Sequence, residues 1–428
     1  MLTHSIPFAP ERDAESFAQV PAAPGVFLLR GPDSAAEPYV SKSANLRRRI
    51  QRLLAPPESQ SKRLNLRERC AQIEFTATGS DFENVLLLYR VLKQVFPDTY
   101  TKRLRLNHSP VIRIHWENEY PRAYVTRKLQ GIAGPSAEGF SPGTKSVYYG
   151  PFQSRAIAEK FLNDALDLFK SRRCNFDLNP DPAFPGCVYS EMKMCLAPCF
   201  KGCTDEQYID EVRRVQKFLD TCGESLIQEL EAERDQASAN LEFETAAGIH
   251  ARIEKVRGVV RGCDDLIRRL DQLDALILQP STAPDSVALF RFAHGQLCGP
   301  APFRVQNILL SNEKSGDSSL YAQPFMAQAQ PESPVAQVAS KPTSLESRMA
   351  AALDDLAPAP KASATAFAEQ LALLKRWYYR SSRVGEIFLR DRDGSWPYRR
   401  MVRGVSRVLA GKIKTDHEGQ EVKEGNEK

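Results

Sequence analysis

From residue 224 to residue 259 the chain is rich in Glu, Ala and Leu and almost free of turn formers, which commits it to helix. Leu226, Leu230, Ala237 and Leu241 form one apolar stripe, and Phe243, Ala246, Ala247, Ile249, Ile253 and Val256 form a second. Asn240 between them suits a left-handed cap, so the stretch is expected as an α-hairpin. Two short helices bury little alone. The stripe needs a cover, either the chain's own middle segment or a partner; the strongly charged opposite face favours the partner.

The segments on either side predict an α+β protein. The opening module, residues 15–107, reads as a small mixed sheet with helices. Gly25-Val26-Phe27-Leu28-Leu29 is a short strand and Pro38-Tyr39-Val40 starts another. A helix follows, capped by Ser43 or Asn45, with Leu46, Ile50 and Leu53 on one face and arginines on the other. Asp81 to Phe96 forms a second helix, with Val85, Leu88, Leu92 and Val95 as its buried stripe and Pro97 as its stop. Residues 108–222 read as a cysteine-rich α/β segment: strands VIRIHW and RAYVTRKL, then YYGPF, a helix from Ser154 to Lys170, a cysteine loop, and a helix from Thr204 to Asp220. After the hairpin, residues 264–310 alternate like a β-meander, and 311–366 are Ala/Ser/Pro/Gln-rich linker with one helix in SLESRMAAALDDL. A basic segment, 367–415, reads as helix, strand and helix, and 416–428 as a disordered tail.

The net charge of +5 says little, but its distribution says more. Lys42, Arg47, Arg48, Arg49, Arg52, Lys62, Arg63, Arg67 and Arg69 crowd one stretch against only Glu58 and Glu68. Further clusters hold Lys102, Arg103, Arg105 and Arg113, and run from Lys375 to Arg407. Such clusters neutralise phosphates, or form ordinary solvated faces. The chain opens with neither a basic start nor an apolar run, and no stretch reaches the roughly 18 apolar residues of a membrane span. A cytoplasmic protein without a membrane contact is expected.

Five of the nine cysteines, Cys174, Cys187, Cys195, Cys199 and Cys203, fall within thirty residues. Twelve residues, then seven, then three separate the first four, and four thiolates suit zinc or an iron–sulfur cluster. Buried, reduced cysteines are the plainer reading. Cys70, Cys222, Cys263 and Cys298 are expected to be structural.

The order of motifs resembles a known family. PGVFLLR, PYVSKSANLRRRI and the helix ending at Pro97 resemble the three motifs of a GIY-YIG nuclease domain. The resemblance to the UvrC subunit of excinuclease ABC extends through PRAYVTRK, YYGPF and CVYSEMKMCLAPCF, and ASANLEFETAAGIHARI is close to the UvrB-binding, or UVR, motif. It implies a nucleotide-excision-repair protein that binds damaged double-stranded DNA and UvrB. Tyr39, Lys42 and Arg49 match catalytic positions, with Arg47, Arg48, Arg52 and Arg103 as DNA contacts. The hairpin would dock through Leu241, Phe243, Glu244, Ala246, Ile249 and Arg252, with Phe243 as anchor. The four cysteines Cys174, Cys187, Cys195 and Cys199 would hold an iron–sulfur cluster, or zinc.

The departures are equally specific. The first tyrosine position is Phe27, the glycine after the second tyrosine is Ser41, and the metal-binding glutamate, counted back from Pro97, falls on Leu87. Without that carboxylate a magnesium or manganese ion has no anchor, which puts cleavage in doubt and leaves a non-catalytic UvrB- or DNA-binding regulator as the alternative. Glu83, one turn earlier, is the nearest substitute. The family's C-terminal RNase H-like nuclease and helix-hairpin-helix motifs are not recognisable.

Overall fold

The computed structural model describes residues 2–33, 35–56, 64–130, 146–305, 344–356, 362–391 and 393–411. The expected tail, Lys62, Arg63 and the linker up to residue 343 lie outside the described residues.

Four strands form the opening sheet: β1 (His4–Pro7), β2 (Gly25–Arg30), β3 (Tyr39–Ser43) and β4 (Gln72–Ala77), in the order β1-β4-β2-β3. Every pairing is antiparallel, not mixed as expected, because β4 returns beside β2 with Phe27 opposite Phe75. Helices α1 (Asp13–Gln19) and α2 (Leu46–Leu54) lie on one face; Phe27, Leu29, Leu46, Ile50 and Ile73 are buried there. Asn45 is the cap of α2, its side chain accepting the Arg48 N–H at 2.9 Å.

The other face carries α3 (Asp81–Val95), followed by α4 (Tyr100–Leu104). Its buried residues are Phe82, Asn84, Leu86, Tyr89, Val91 and Leu92; of the expected stripe only Leu92 is buried, and Val85, Leu88 and Val95 are half-buried. The reason is that α3 is covered twice. Leu87 and Val91 meet Val26 and Leu28 of the sheet, while Phe82, Leu86, Tyr89 and Leu92 face the C-terminal part of the chain.

The middle segment is antiparallel too: β5 (Val111–Ile114) lies between β6 (Ala123–Thr126) and β7 (Val147–Gly150). Its helices are α5 (Arg155–Leu166), the short α6 (Val188–Glu191) and α7 (Asp205–Asp220), the last opened by a reciprocal Thr204–Gln207 capping box. Helices α8 (Glu224–Ala239) and α9 (Phe243–Val260) then form the hairpin. Strand β8 (Arg268–Arg269) returns to pair with β7.

The C-terminal meander, β9 (Ala275–Pro280), β10 (Ser286–Ala293) and β11 (Gln296–Arg304), is extended by β12 (Glu386–Leu389) in the order β11-β10-β9-β12. The segments 264–310 and 367–415, expected as separate, thus share one sheet. Helix α10 (Leu345–Asp355), capped by Ser344, and α12 (Tyr398–Leu409) cover one face, and α11 (Ala364–Tyr378) covers the other together with α3. The contact between the two ends of the chain is close: a Cβ added at Gly79 would lie 2.3 Å from the Pro280 carbonyl oxygen.

Candidate functional site

Strand β3 presents the nuclease-like residues on two faces, as the two-residue period of a strand requires. Tyr39 points to the α2 side. Its hydroxyl accepts a hydrogen bond from Arg49 Nη2 at 3.4 Å, and its ring lies 6.1 Å from that of the fully buried Phe27. Ser41 stands opposite Phe27 in the ladder. Lys42 points to the α3 side, where its ammonium sits 2.6 Å from Asp81. The structure brings Tyr39 and Arg49 together and places Lys42 across the sheet from them.

The arginines divide into engaged and exposed. Arg47 is spent on structure, donating to the carbonyls of Val20 at 2.7 Å and Ala18 at 3.4 Å. Arg103 stacks 3.9 Å over Phe96 and pairs with Glu37. Arg48 and Arg52 are exposed on the outer face of α2.

Leu87 offers no carboxylate, and the helix has only two, Asp81 and Glu83 in its first turn. Glu83 accepts the Gly79 N–H at 2.8 Å; burial, only partly offset by that bond, pushes its carboxyl above the usual range. It is committed to starting the helix. Burial also pushes Asp81 up, but the Lys42 ammonium and the Arg380 guanidinium outweigh it and hold the carboxyl below its ordinary value. Among the described residues no group of acids is placed to hold a divalent ion beside Tyr39 and Arg49, so the residues present do not fit the family's metal.

A cavity of about 290 Å³ opens between α3 and α11, lined by Lys42, Asp81, Arg376, Trp377 and Arg380 among others. In the sequence Arg376 and Arg380 are simply part of the basic stretch from Lys375 to Arg407. Their pairing with the first module depends on a contact some three hundred positions away along the chain, and Arg380 meets Asp81 across 299 residues.

Around β9 the acids are ion-paired: Asp274 with Arg291 at 2.7 Å, and Glu386 of β12 with Arg407 at 2.5 Å.

The cysteine loop is folded tightly by left-handed residues Lys193, Ala197 and Lys201, and tied down by Leu196 N–H to the Lys170 carbonyl at 3.0 Å and Asp181 N–H to the Cys199 carbonyl at 2.8 Å. Burial pushes the Cys195 thiol up to about 11, and Cys174, Cys199 and Cys187 add to the rise. Cys199 is raised by burial, then by Cys187 and Cys174. The four thiols therefore share one neighbourhood and match a soft metal in number and chemistry. They are not drawn in to ligand distance: among the described residues no group of three or more Cys, His, Asp or Glu is placed to hold a metal.

The hairpin is covered by the middle segment at its root and exposed at its tip. Leu226, Leu230, Ile253 and Val256 are buried in the core of the middle segment. Toward the tip, Ala246 and Ile249 are half-buried, Glu244 is exposed, and Arg252 lies 4.0 Å from Glu233 of α8. Leu241 and Phe243 are 72% and 64% exposed. The left-handed residue is Leu241, with φ of 60°, not Asn240. Leu241 N–H bonds the Ser238 carbonyl at 3.0 Å and Glu242 N–H bonds the Ala237 carbonyl at 2.9 Å, the paired bonds of a Schellman ending with leucine where glycine is usual.

Comparison with known proteins follows the same division. Residues 23–100 match the family described as UvrC-like GIY-YIG domain, residues 109–218 match UvrC/Cho excinuclease, middle domain, and residues 224–259 match the UvrB/uvrC motif. The UvrABC system protein C of Dehalococcoides mccartyi is 26% identical over 302 residues, covering 70% of this chain and 47% of that protein. The same protein of Methanothermobacter thermautotrophicus is 29% identical over 287 residues (67% and 46%), and that of Carboxydothermus hydrogenoformans 30% over 242 (56% and 37%). The chain spans less than half the length of these curated relatives. No solved structure matches it. With three matches in unbroken order and relatives of a single description, the chain is a UvrC-like protein.

Proposed function

We propose that this chain acts in nucleotide-excision repair as a subunit that docks on UvrB through the hairpin tip and lies on damaged double-stranded DNA, working in the cytoplasm. Its GIY-YIG-type module holds DNA without cutting it. The observation that carries the second statement is the packing of Leu87 against Val26, Leu28 and Val91, where the resemblance calls for a carboxylate. Phe27, in place of a tyrosine, removes a hydroxyl from the same module. Exposed Leu241 and Phe243 support docking, because apolar side chains of that size gain most when a partner covers them. Exposed Arg48 and Arg52 supply cations for DNA phosphates. Among the described residues no helix is long and apolar enough to cross a membrane.

Cys174, Cys187, Cys195 and Cys199 are proposed to bind an iron–sulfur cluster once the loop draws them together. Iron and acid-labile sulfide in anaerobically purified protein, lost in Cys195→Ser, support that assignment; stoichiometric zinc replaces it with a structural zinc site; neither metal sinks it.

The functional test is a lesion-bearing duplex preloaded with UvrA and UvrB, in magnesium or manganese. Retention without incision is expected. Incision that Arg49→Ala abolishes overturns the non-cutting assignment, and failure of retention overturns the repair assignment.

A further inference from the structure

Two cysteines outside the cysteine-rich loop bracket the hairpin. Cys222, with φ of 48°, closes α7 and turns the chain toward α8. Cys263 follows α9, its N–H bonded to the Val260 carbonyl at 2.9 Å. At this point the two segments touch: a Cβ added at Gly223 would lie 2.4 Å from Val260 Cγ2. The thiols of Cys222 and Cys263 are near enough to act on each other, and no disulfide joins them. Both are partly exposed, and Cys222 lines a cleft of about 530 Å³ between the middle and C-terminal segments. Leu226 and Leu230 of α8 and Ile253 and Val256 of α9 are buried in one core at the hairpin's root.

We propose that Cys222 and Cys263 are an oxidisable dithiol that closes as a disulfide across the base of the hairpin, with a small-molecule disulfide such as oxidised glutathione as the oxidant. The order of attack follows from the surroundings. Cys222 first, then burial, then Asp264 and Asp265 oppose ionisation of Cys263, so Cys263 keeps its proton, its thiol donating to the Asp264 carbonyl at 3.9 Å. Tyr379, the residue that follows α11, also faces this acidic corner, and burial and Asp264 hold its hydroxyl above its ordinary range. Cys222, as thiolate, attacks one sulfur of glutathione disulfide; the S–S bond breaks and one glutathione leaves as thiolate, taking up a proton. Cys263 then gives up its proton and attacks the Cys222 sulfur, expelling the second glutathione. Two protein thiols are oxidised by two electrons, and one glutathione disulfide is reduced to two thiols. The product ties the end of α7 to the end of α9 and leaves Leu241 and Phe243 free at the far tip.

The test uses the full chain, reduced and then held in oxidised glutathione, digested without reduction and read by mass spectrometry. The expected product is a Cys222 peptide joined to a Cys263 peptide, with loss of two hydrogens. Cys263→Ser should accumulate glutathione on Cys222, and Cys222→Ser should leave Cys263 unmodified, each variant keeping the wild-type circular dichroism when reduced. Wild-type protein in which Cys222 and Cys263 stay reduced, or in which Cys222 pairs with a cysteine of the 174–203 loop, overturns the proposal without reference to either variant.

Discussion

Tyr89 of α3 donates a 2.7 Å hydrogen bond to Glu369 of α11, a carboxylate that is 1% exposed. The same group accepts from Tyr100 and, at 3.0 Å, from Lys93. It therefore latches the first module to the last. Replacing Glu369 by Ala strands the Tyr89 hydroxyl and should cost about 3 kcal/mol in denaturant unfolding. Lys93, well exposed, returns to water and contributes little of that. An unchanged midpoint would remove the latch from the account.

The same carboxylate predicts a pH dependence. Burial pushes Glu369 up, but bonds from Tyr100, Tyr89 and Lys93 outweigh it and lower its folded value below that of the unfolded chain. Its contribution is therefore complete above the unfolded glutamate range and is lost as pH falls through the folded value. Thermal melts from pH 7 down into the acid range should show wild type losing stability faster than Glu369→Gln. Parallel curves would contradict the assignment.

Leu87→Glu places the family's carboxylate back on the helix. In this fold it lands among Val26, Leu28 and Val91, on the sheet face away from Tyr39 and Arg49. The expected outcome is a loss of roughly 2 kcal/mol with no gain of magnesium-dependent cleavage. Cleavage gained by this single change would mean that the two faces cooperate around the edge of the sheet.

Leu241 holds a left-handed backbone that suits glycine. Leu241→Gly should stabilise the chain by about 0.5–1 kcal/mol while weakening retention on UvrB–DNA. Phe243→Ala should weaken retention and leave the melting temperature unmoved, since Phe243 is mostly exposed. Opposed effects on folding and binding from one leucine separate a docking residue from a structural one.

Arg291 forks onto Asp274, Nε to Oδ1 at 3.0 Å and Nη2 to Oδ2 at 2.7 Å, and its Nη1 reaches the Leu353 carbonyl at 2.8 Å. Both side chains are nearly buried. Arg291→Ala leaves Asp274 in a half-dry site with only Arg390, 3.8 Å away, and should cost about 3 kcal/mol; Arg291→Lys should recover part of it but not the fork.

What was legible in the sequence was local. Helix α7, the Ser344 cap of α10 and the two helices of the hairpin are written in caps and spacings within a few residues of each other. Strands β1 and β4 carry no local signal, because β4 is made a strand by pairing with β2 and β1 by pairing with β4, each across a gap in the chain; the same holds for the joining of β12 to β9. Asn240 was the better left-handed residue by type, but the Schellman bonds place that conformation one residue on, at Leu241. For the candidate site, one relation is legible in the sequence. Tyr39 and Lys42 are three positions apart in a strand, an odd spacing that sends them to opposite faces. Arg380 and Glu369 had no such signal, since their roles exist only once the ends of the chain meet.

That meeting has a consequence in time. Tyr89 leaves the ribosome 280 residues ahead of its acceptor. At about 5–20 residues per second, the outer face of α3, with Phe82, Leu86 and Leu92, waits on the order of 20 s for α11 to be made. The first module of this protein is thus born with a bare side, and its early life depends on whatever shields that side until the last quarter of the chain arrives.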